Sequence, residues 1–368
     1  MKIDLIEIHP APIRLKKPFV ISLGRMEHAS NVLVVIRASD GSEGFGECSP
    51  FMTINGETME TACAVGRFLA RALIGRDPRD VGGCCAVMDR VIHGNASIKS
   101  AFDIALHDLA ARHAGLPLYA YLGGKPGKPI HTDLTVSLGT PADMAAAARE
   151  IQREGYRHIK VKLGDGGKRD VERIRRIREA VGQEIPLRLD ANQGWTVEEA
   201  ITTLQALAPY GIEHCEEPIP RWAFMELGRV SAASPVPVMA DETCCDHHDA
   251  ERLIALGACP LFNLKLGKSS GLHKALKIVR LAEKAGTGMQ VGGFLESRLA
   301  TTAGVHLALC SDHIRHFDFD APLFLQEDHV TGGMAYHDHG RITLPEAPGL
   351  GAGINRDYLS QLQRISIQ

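Results

Sequence analysis

The chain has 368 residues, 45% of them hydrophobic and 23% charged, with a formal net charge of -3. That length can bury one large core or two unequal ones, and the charge gives no general electrostatic reason to expect nucleic acid or an anionic membrane as partner. Met1 to Ile8 alternates like a strand and lacks the apolar core of a signal peptide, no stretch is apolar for long enough to span a bilayer, and nine cysteines without a CxxC or other metal spacing fit reduced thiols in a cytoplasmic protein.

Residues 1 to about 50 read as strands and turns: Leu5 to Ile8, Asn31 to Arg37 and Gly44 to Glu47, with Ser39-Asp40-Gly41 as a hairpin turn. Residues 57–74 and 97–114 have helical periodicity, and in the second Ala101, Ile104, Ala105, Leu106 and Leu109 share an apolar face. Strands followed by helices predict a separate α+β domain, 1–125, closed by the Gly/Pro-rich stretch from Leu122 to Pro129. The pattern then changes to short apolar strands alternating with amphipathic helices. Strands are predicted at about 131–138, 157–162, 185–190, 212–216, 236–240, 261–265, 288–292 and 314–319, with a helical pattern in every gap. Eight strands and seven helices, starting roughly 22 to 28 residues apart, predict a closed parallel α/β barrel over 126–334. No GxGxxG follows a strand to support an open doubly wound sheet. The tail, 335–368, looks irregular and is expected to pack back on the first domain.

In such a barrel the chemistry sits at the C-terminal ends of the strands. Alternation in Ile159-Lys160-Val161-Lys162 turns both lysines to one side. Each disfavours protonation of its neighbour and burial pushes the same way, so one is expected to act as an amine base near neutral pH. Alone, such a KxK is an ordinary solvated edge strand. Asp190, Glu216 and Asp241 follow on three consecutive strands, 26 and 25 residues apart. One acid after a strand is an ordinary helix cap; three in register, without histidine or cysteine, ask for a hard divalent cation, Mg2+ before Zn2+. Glu217 and Glu242 are expected to accept from lysine or arginine nearby. Lys162 and Lys265, on strands two and six of eight, face each other across the barrel mouth. A substrate carboxylate on the cation would hold its α-carbon between the two amines, a geometry for 1,1-proton transfer and inversion. Asp318 and Asp320, at i and i+2, form an acidic pair that suits a substrate ammonium.

Lys160-Val161-Lys162, Asp190-Ala191-Asn192-Gln193, Glu216-Glu217-Pro218, Ala240-Asp241-Glu242 and Asn263-Leu264-Lys265 together resemble the enolase superfamily, muconate lactonizing enzyme subgroup, over essentially the whole length. The superfamily's general chemistry is a Lys or His base with Mg2+ stabilising an enediolate. Asp318-Phe319-Asp320 resembles the DxD of dipeptide epimerases of the L-Ala-D/L-Glu type, where the pair holds the dipeptide's α-ammonium. The resemblance implies an α/β fold, a modified TIM barrel (β/α)7β with an α+β capping domain from both termini, whose loops near 18–30 and 50–56 close the site. It also implies Lys162 and Lys265 as the acid/base pair, Lys160 in support, and Mg2+ on Asp190, Glu216 and Asp241. Members acting on Ala-Glu tend to carry an arginine in the first capping loop; here Gly24 stands there with Arg25 beside it, so either Arg25 meets an acidic second residue or the second residue is not acidic. Gly267-Lys268-Ser269-Ser270-Gly271 replaces the more usual K-x-G-G, and Phe51-Met52-Thr53-Ile54 suggests an apolar wall.

The expected activity is epimerisation of a dipeptide with a free N-terminus. The alternative is another reaction of the superfamily: a cycloisomerase, an o-succinylbenzoate synthase, an N-acylamino acid racemase or an acid dehydratase. A catalytically silent scaffold has no reason to keep all these groups together. Asp246-His247-His248-Asp249 and His337-Asp338-His339 are read as solvent-facing rather than as transition-metal sites. The expected partner is a small-molecule dipeptide, with neither nucleic acid nor membrane; a homo-oligomer is compatible with a composition that singles out no interface.

Overall fold

The computed structural model describes residues 1–368 throughout. The chain begins with an antiparallel meander, β1 (Ile3–Ile21), β2 (Gly24–Ala38) and β3 (Glu43–Cys48). Its period-two pattern separates two cores. Val32, Val34 and Ile36 of β2 face a cluster built with the helices α1 (Met59–Leu73), α2 (Val81–Val91) and α3 (Ala96–His113), while Leu33 and Val35 join the larger cluster of the barrel. Both faces are therefore covered, and the strand reads as a continuous apolar run instead of an alternation.

The helix starts are fixed locally: Thr58 and Thr61 form a capping box on α1, and Asp80 caps α2. Helix α3 is buried along almost its whole length between the two cores. A short α4 (Leu118–Tyr121) and β4 (Ile130–His131) lead into the repeat.

The repeat runs β5 (Leu134–Val136), α5 (Pro141–Arg153), β6 (Ile159–Lys162), α6 (Gly167–Val181), β7 (Leu187–Asp190), α7 (Val197–Leu207), β8 (Ile212–Glu216), α8 (Leu227–Ala233), β9 (Val238–Ala240), α9 (His247–Ala255), β10 (Leu261–Lys265), α10 (Leu272–Ala285), β11 (Gly288–Gly292), α11 (Arg298–Ala308) and β12 (Ile314–Phe317). These are the eight strands and seven helices of the predicted pattern, paired in parallel from β5 to β12 in chain order. The two outer strands meet: Asp133 N–H donates to the Phe317 carbonyl at 3.4 Å, and Phe319 N–H to Thr132 Oγ1 at 2.8 Å. Outward residues such as Val161, Leu189, Cys215, Val238, Leu264 and Val291 pack under the helices.

The tail follows as α12 (Ala321–Phe324), β13 (Val330–Gly332), β14 (Ala335–Tyr336), β15 (Arg341–Thr343), β16 (Ala352–Ile354), α13 (Arg356–Gln361) and β17 (Ile365–Ile367). Its last strand joins the capping sheet, where Ile367 pairs with Ile6 of β1, and Gln326 N–H donates to the Arg14 carbonyl of β1 at 2.8 Å; β14 and β15 pair with β4 beside the barrel.

Candidate active site

Parallel pairing sets the heights of the side chains at the barrel mouth. Lys160 is level with Arg188 and Lys162 with Asp190; Arg188 is level with His214 and Asp190 with Glu216. Lys160, Lys162, Asp190, Glu216, Asp241, Lys265, Asp318 and Asp320 are all buried, and the structure brings them into one cluster. Lys162 Nζ donates to Asp190 Oδ2 at 2.6 Å and to Asn192 Oδ1 at 3.2 Å. Lys265 Nζ lies 2.6 Å from Asp241 Oδ2. Lys160 Nζ joins two acidic groups, Glu216 at 2.9 Å and Asp318 Oδ2 at 2.7 Å.

At Lys160 these pairs reverse the expected depression. Burial pushes the Lys160 and Lys265 ammonium groups down, but the carboxylates around them prevail, Asp318 and Glu216 at Lys160 and Asp241 at Lys265. Both lysines are held above the ordinary range. The acids respond in kind: burial raises Glu216 and Asp241, and the lysines bring both below the usual carboxylate range.

One oxygen from each of Asp190, Glu216 and Asp241 lies within 4.8 Å of the others. Gln290 Nε2 supports Glu216 at 2.8 Å, Lys268 Nζ supports Asp241 Oδ1 at 2.8 Å, and Asn192 N–H supports Asp190 Oδ1 at 2.9 Å. Three buried, converging carboxylates oriented by such partners fit a divalent cation held by oxygen. Glu217 and Glu242 do not accept from lysine or arginine. Glu217 takes the N–H groups of Asp241 and Thr243, and Glu242 accepts from Asn192 Nδ2 at 3.2 Å.

A cavity with about 40 Å³ of open space adjoins the cluster. Lys162 and Lys265 line it, β6 and β10 being four strands apart in the sheet, and so do Asp318 and Asp320. Its apolar lining includes Phe19, Phe51, Ile54, Phe294 and Phe324. Burial raises the Asp318 carboxyl and Lys160 brings it below its usual range; Asp320 is pushed up to about 7 by burial and by Asp318. Thr135 N–H donates to Asp320 Oδ2 at 2.8 Å.

Arg25 is not brought to the cavity. It stands next to the β1–β2 turn, 60% exposed and paired with Glu27 at 3.2 Å. Phe51 and Ile54 do form a wall, whereas Met52 points to solvent. In the loop after β10, Ser270 takes the left-handed φ of 58° that a glycine would adopt freely. His247 opens α9 behind an Asp246 capping box.

Fold and site together define a capped parallel barrel protein in which two lysines line one cavity and three buried carboxylates converge beside it. The sequence matches the mandelate racemase/muconate lactonizing enzyme N-terminal domain over residues 2–123 and the enolase C-terminal domain-like family over residues 143–358. The chain belongs to the mandelate racemase/muconate lactonizing enzyme family of the enolase superfamily. It is similar to the D-Ala-D/L-Ala epimerase of Cytophaga hutchinsonii, at 55% identity over 367 residues and 100% of both chains. The crystal structure of a dipeptide epimerase from that organism, complexed with Mg and the dipeptide D-Ala-L-Val, superposes with a TM-score of 0.99 over 100% of both chains at 55% identity. The substrate-liganded L-Ala-D/L-Glu epimerase of Bacillus subtilis superposes with a TM-score of 0.92 at 37% identity, covering 96% of this chain and 99% of that one.

Proposed function

We propose that the chain is a dipeptide epimerase that inverts the α-carbon next to the dipeptide carboxylate, and that small apolar side chains are its preferred substrates. The observation that carries the reading is one cavity lined by Lys162, Lys265, Asp318 and Asp320. Lys162 and Lys265 approach from strands four apart, so one removes the α-proton while the other delivers a proton to the opposite face. Lys160 ties Asp318 to Glu216, fixing the position of the acidic pair relative to the cation-binding acids. Asp320, which has a carboxylate for its nearest charge, gains a counter-ion when the dipeptide's ammonium arrives.

Asp190, Glu216 and Asp241 would hold Mg2+, which supplies positive charge against the enolate that develops as the α-proton leaves. Oxygen-only donors favour that ion over Zn2+, and the Mg in the Cytophaga hutchinsonii structure supports the choice. For the second residue, the cavity offers phenylalanine and isoleucine walls and no arginine; its cations, Lys162 and Lys265, are the ones given to proton transfer. The D-Ala-D/L-Ala epimerase supports the same preference.

The test is a screen of dipeptides in D2O with Mg2+, read by mass spectrometry. A one-unit mass gain confined to small apolar dipeptides is expected, and Lys162→Ala and Lys265→Ala should each lower it by about 100-fold or more. Retained exchange in both variants would sink the two-lysine assignment, and faster turnover of N-acetylated substrates would remove the role given to Asp318 and Asp320.

A further inference from the structure

Beneath the cavity the inside of the barrel stays polar, where branched aliphatic layers are usual. His158, His214 and His316 stand two residues before Lys160, Glu216 and Asp318, so alternation aims all three imidazoles into the barrel below the lysines and acids. Glu213 joins them where the β7–β8 ladder shifts register. One donor atom from each of Glu213, His214 and His316 lies within 4.8 Å of the others. His316 Nδ1 is 3.7 Å from Glu213 Oε2, and His158 Nε2 is 4.0 Å from Glu213 Oε1.

The least satisfied member is His214. It is fully buried, neither ring nitrogen has a hydrogen-bond partner, and its ring meets His316 edge-on at 4.8 Å between centroids. One of its nitrogens faces Glu216 at 3.7 Å, which leaves the other to the cluster. A buried imidazole with both nitrogens unpaired is costly and calls for a missing partner. Arg188 is the cation nearby. It is engaged with Glu213 Oε2 at 2.6 Å, Asp133 Oδ2 at 3.0 Å and the Phe317 carbonyl at 3.1 Å, and its remaining contact, to His316 Nδ1, is long at 3.5 Å. Glu213 Oε1 stays free.

We propose that Glu213, His158, His214 and His316 form a second metal site, separate from the three-carboxylate centre, that takes a transition-metal dication of the Zn2+ type. Three imidazoles and one carboxylate are a four-coordinate zinc donor set, and Mg2+ disfavours nitrogen. Tetrahedral bonds of about 2.0–2.1 Å put donors roughly 3.4 Å apart, so the ion draws the present spacings inward through side-chain rotation. Partial exposure of Glu213, His158 and His316 gives it a way in. Burial and the neighbouring cations and imidazoles hold His158 at about 4 and His316 at about 3, so both are neutral, with lone pairs to offer, at neutral pH.

The experiment is calorimetric titration of the Mg2+-saturated protein with Zn2+, alongside Co2+ absorption spectroscopy. One equivalent of Zn2+ should bind in the presence of excess Mg2+, and Co2+ should give the intense visible band of a tetrahedral nitrogen-ligated ion. His316→Gln and Glu213→Gln, at two partly exposed positions, should each weaken Zn2+ at least tenfold. His247→Ala, in the stacked His247/His248 pair at the start of α9, should leave it unchanged. No Zn2+ binding beyond what Mg2+ displaces, binding unaffected in both cluster variants, or binding lost with His247→Ala would each overturn the proposal. Circular dichroism of the cluster variants separates lost ligation from lost fold.

Discussion

Asp320 sits in a buried position that suits its proposed role better than it suits the resting fold. With its carboxyl at about 7 against 3.8 in an unfolded chain, the folded state holds a proton through that window that the unfolded state has released. Stability therefore falls as pH rises from 3.8 to about 7, and the full cost, on the order of 2–4 kcal/mol, stands above that. A substrate ammonium offsets the cost only when Asp320 is ionised. Two outcomes follow for Asp320→Asn, whose carbonyl can still accept from Thr135 N–H. Its melting temperature at pH 8 should exceed that of the parent, and its kcat/KM for a free dipeptide should be lower and lose the rise across pH 7 that the parent shows. A variant that is both less stable at pH 8 and unchanged in pH profile would assign Asp320 a purely structural role. Residue by residue, the strand-borne groups were legible because alternation fixes which way they point. Arg25 was not: proximity to a turn says nothing about side-chain direction, and Glu27 holds it outside. His158, His214 and His316 went unread although their signal was present, the same parity as Lys160, Glu216 and Asp318 one step lower on each strand.

At the scale of elements, α3 is what joins the capping unit to the barrel. Ala101, Phe102 and Ala105 enter the capping core, Ile104 and Ala111 the barrel core. Asp103 accepts from Leu272 N–H at 2.5 Å at the start of α10, and Asp108 from the N–H groups of Phe45 and Leu350 at 3.1 and 2.7 Å. The sequence shows the helix and its apolar face but not the partners of these carboxylates, which lie 63 to 242 residues away. The contact with β3 is tight enough to require glycine. A Cβ at Gly46 would stand 1.9 Å from the Ala101 carbonyl oxygen, and one at Gly44 2.2 Å from that of Ala105. Backbone cannot yield as a side-chain tip can, so Gly46→Ala should cost about 1–3 kcal/mol or more. Urea unfolding would read this as a lower midpoint, and a midpoint equal to the parent's would mean that α3 is free to slide.

For the whole molecule, the question is how a dipeptide reaches a cavity with about 40 Å³ of open space. Each capping loop carries a side-chain fastening to the barrel, and the first is also held where Leu138 N–H donates to the Val20 carbonyl at 3.0 Å. Ser22 Oγ donates to the Asn192 carbonyl at 2.8 Å, and Asn192 in turn accepts from Lys162, so the first loop is tied to the residue that holds a proposed base. Arg221, on the loop after β8, donates from NH1 to the Ile54 carbonyl at 2.7 Å and holds the second loop, whose Phe51 and Ile54 wall the cavity. Neither side-chain fastening involves a proposed catalytic group, and each joins a capping loop to a barrel loop, so opening of the site would have to break it. A charge-assisted hydrogen bond contributes roughly 1.5–3 kcal/mol. Its loss shifts the open–closed balance by about tenfold or more. Because chemistry needs the closed state and release needs the open one, kcat and KM should move together. Arg221→Ala is expected to lower kcat/KM about tenfold for every dipeptide accepted, with the order of preference kept and thermal stability nearly unchanged. Arg221→Lys, which restores the charge on a flexible stem, should recover part of the loss. If Arg221→Ala changed which dipeptides are accepted, Arg221 would belong to the specificity wall and not to the fastening.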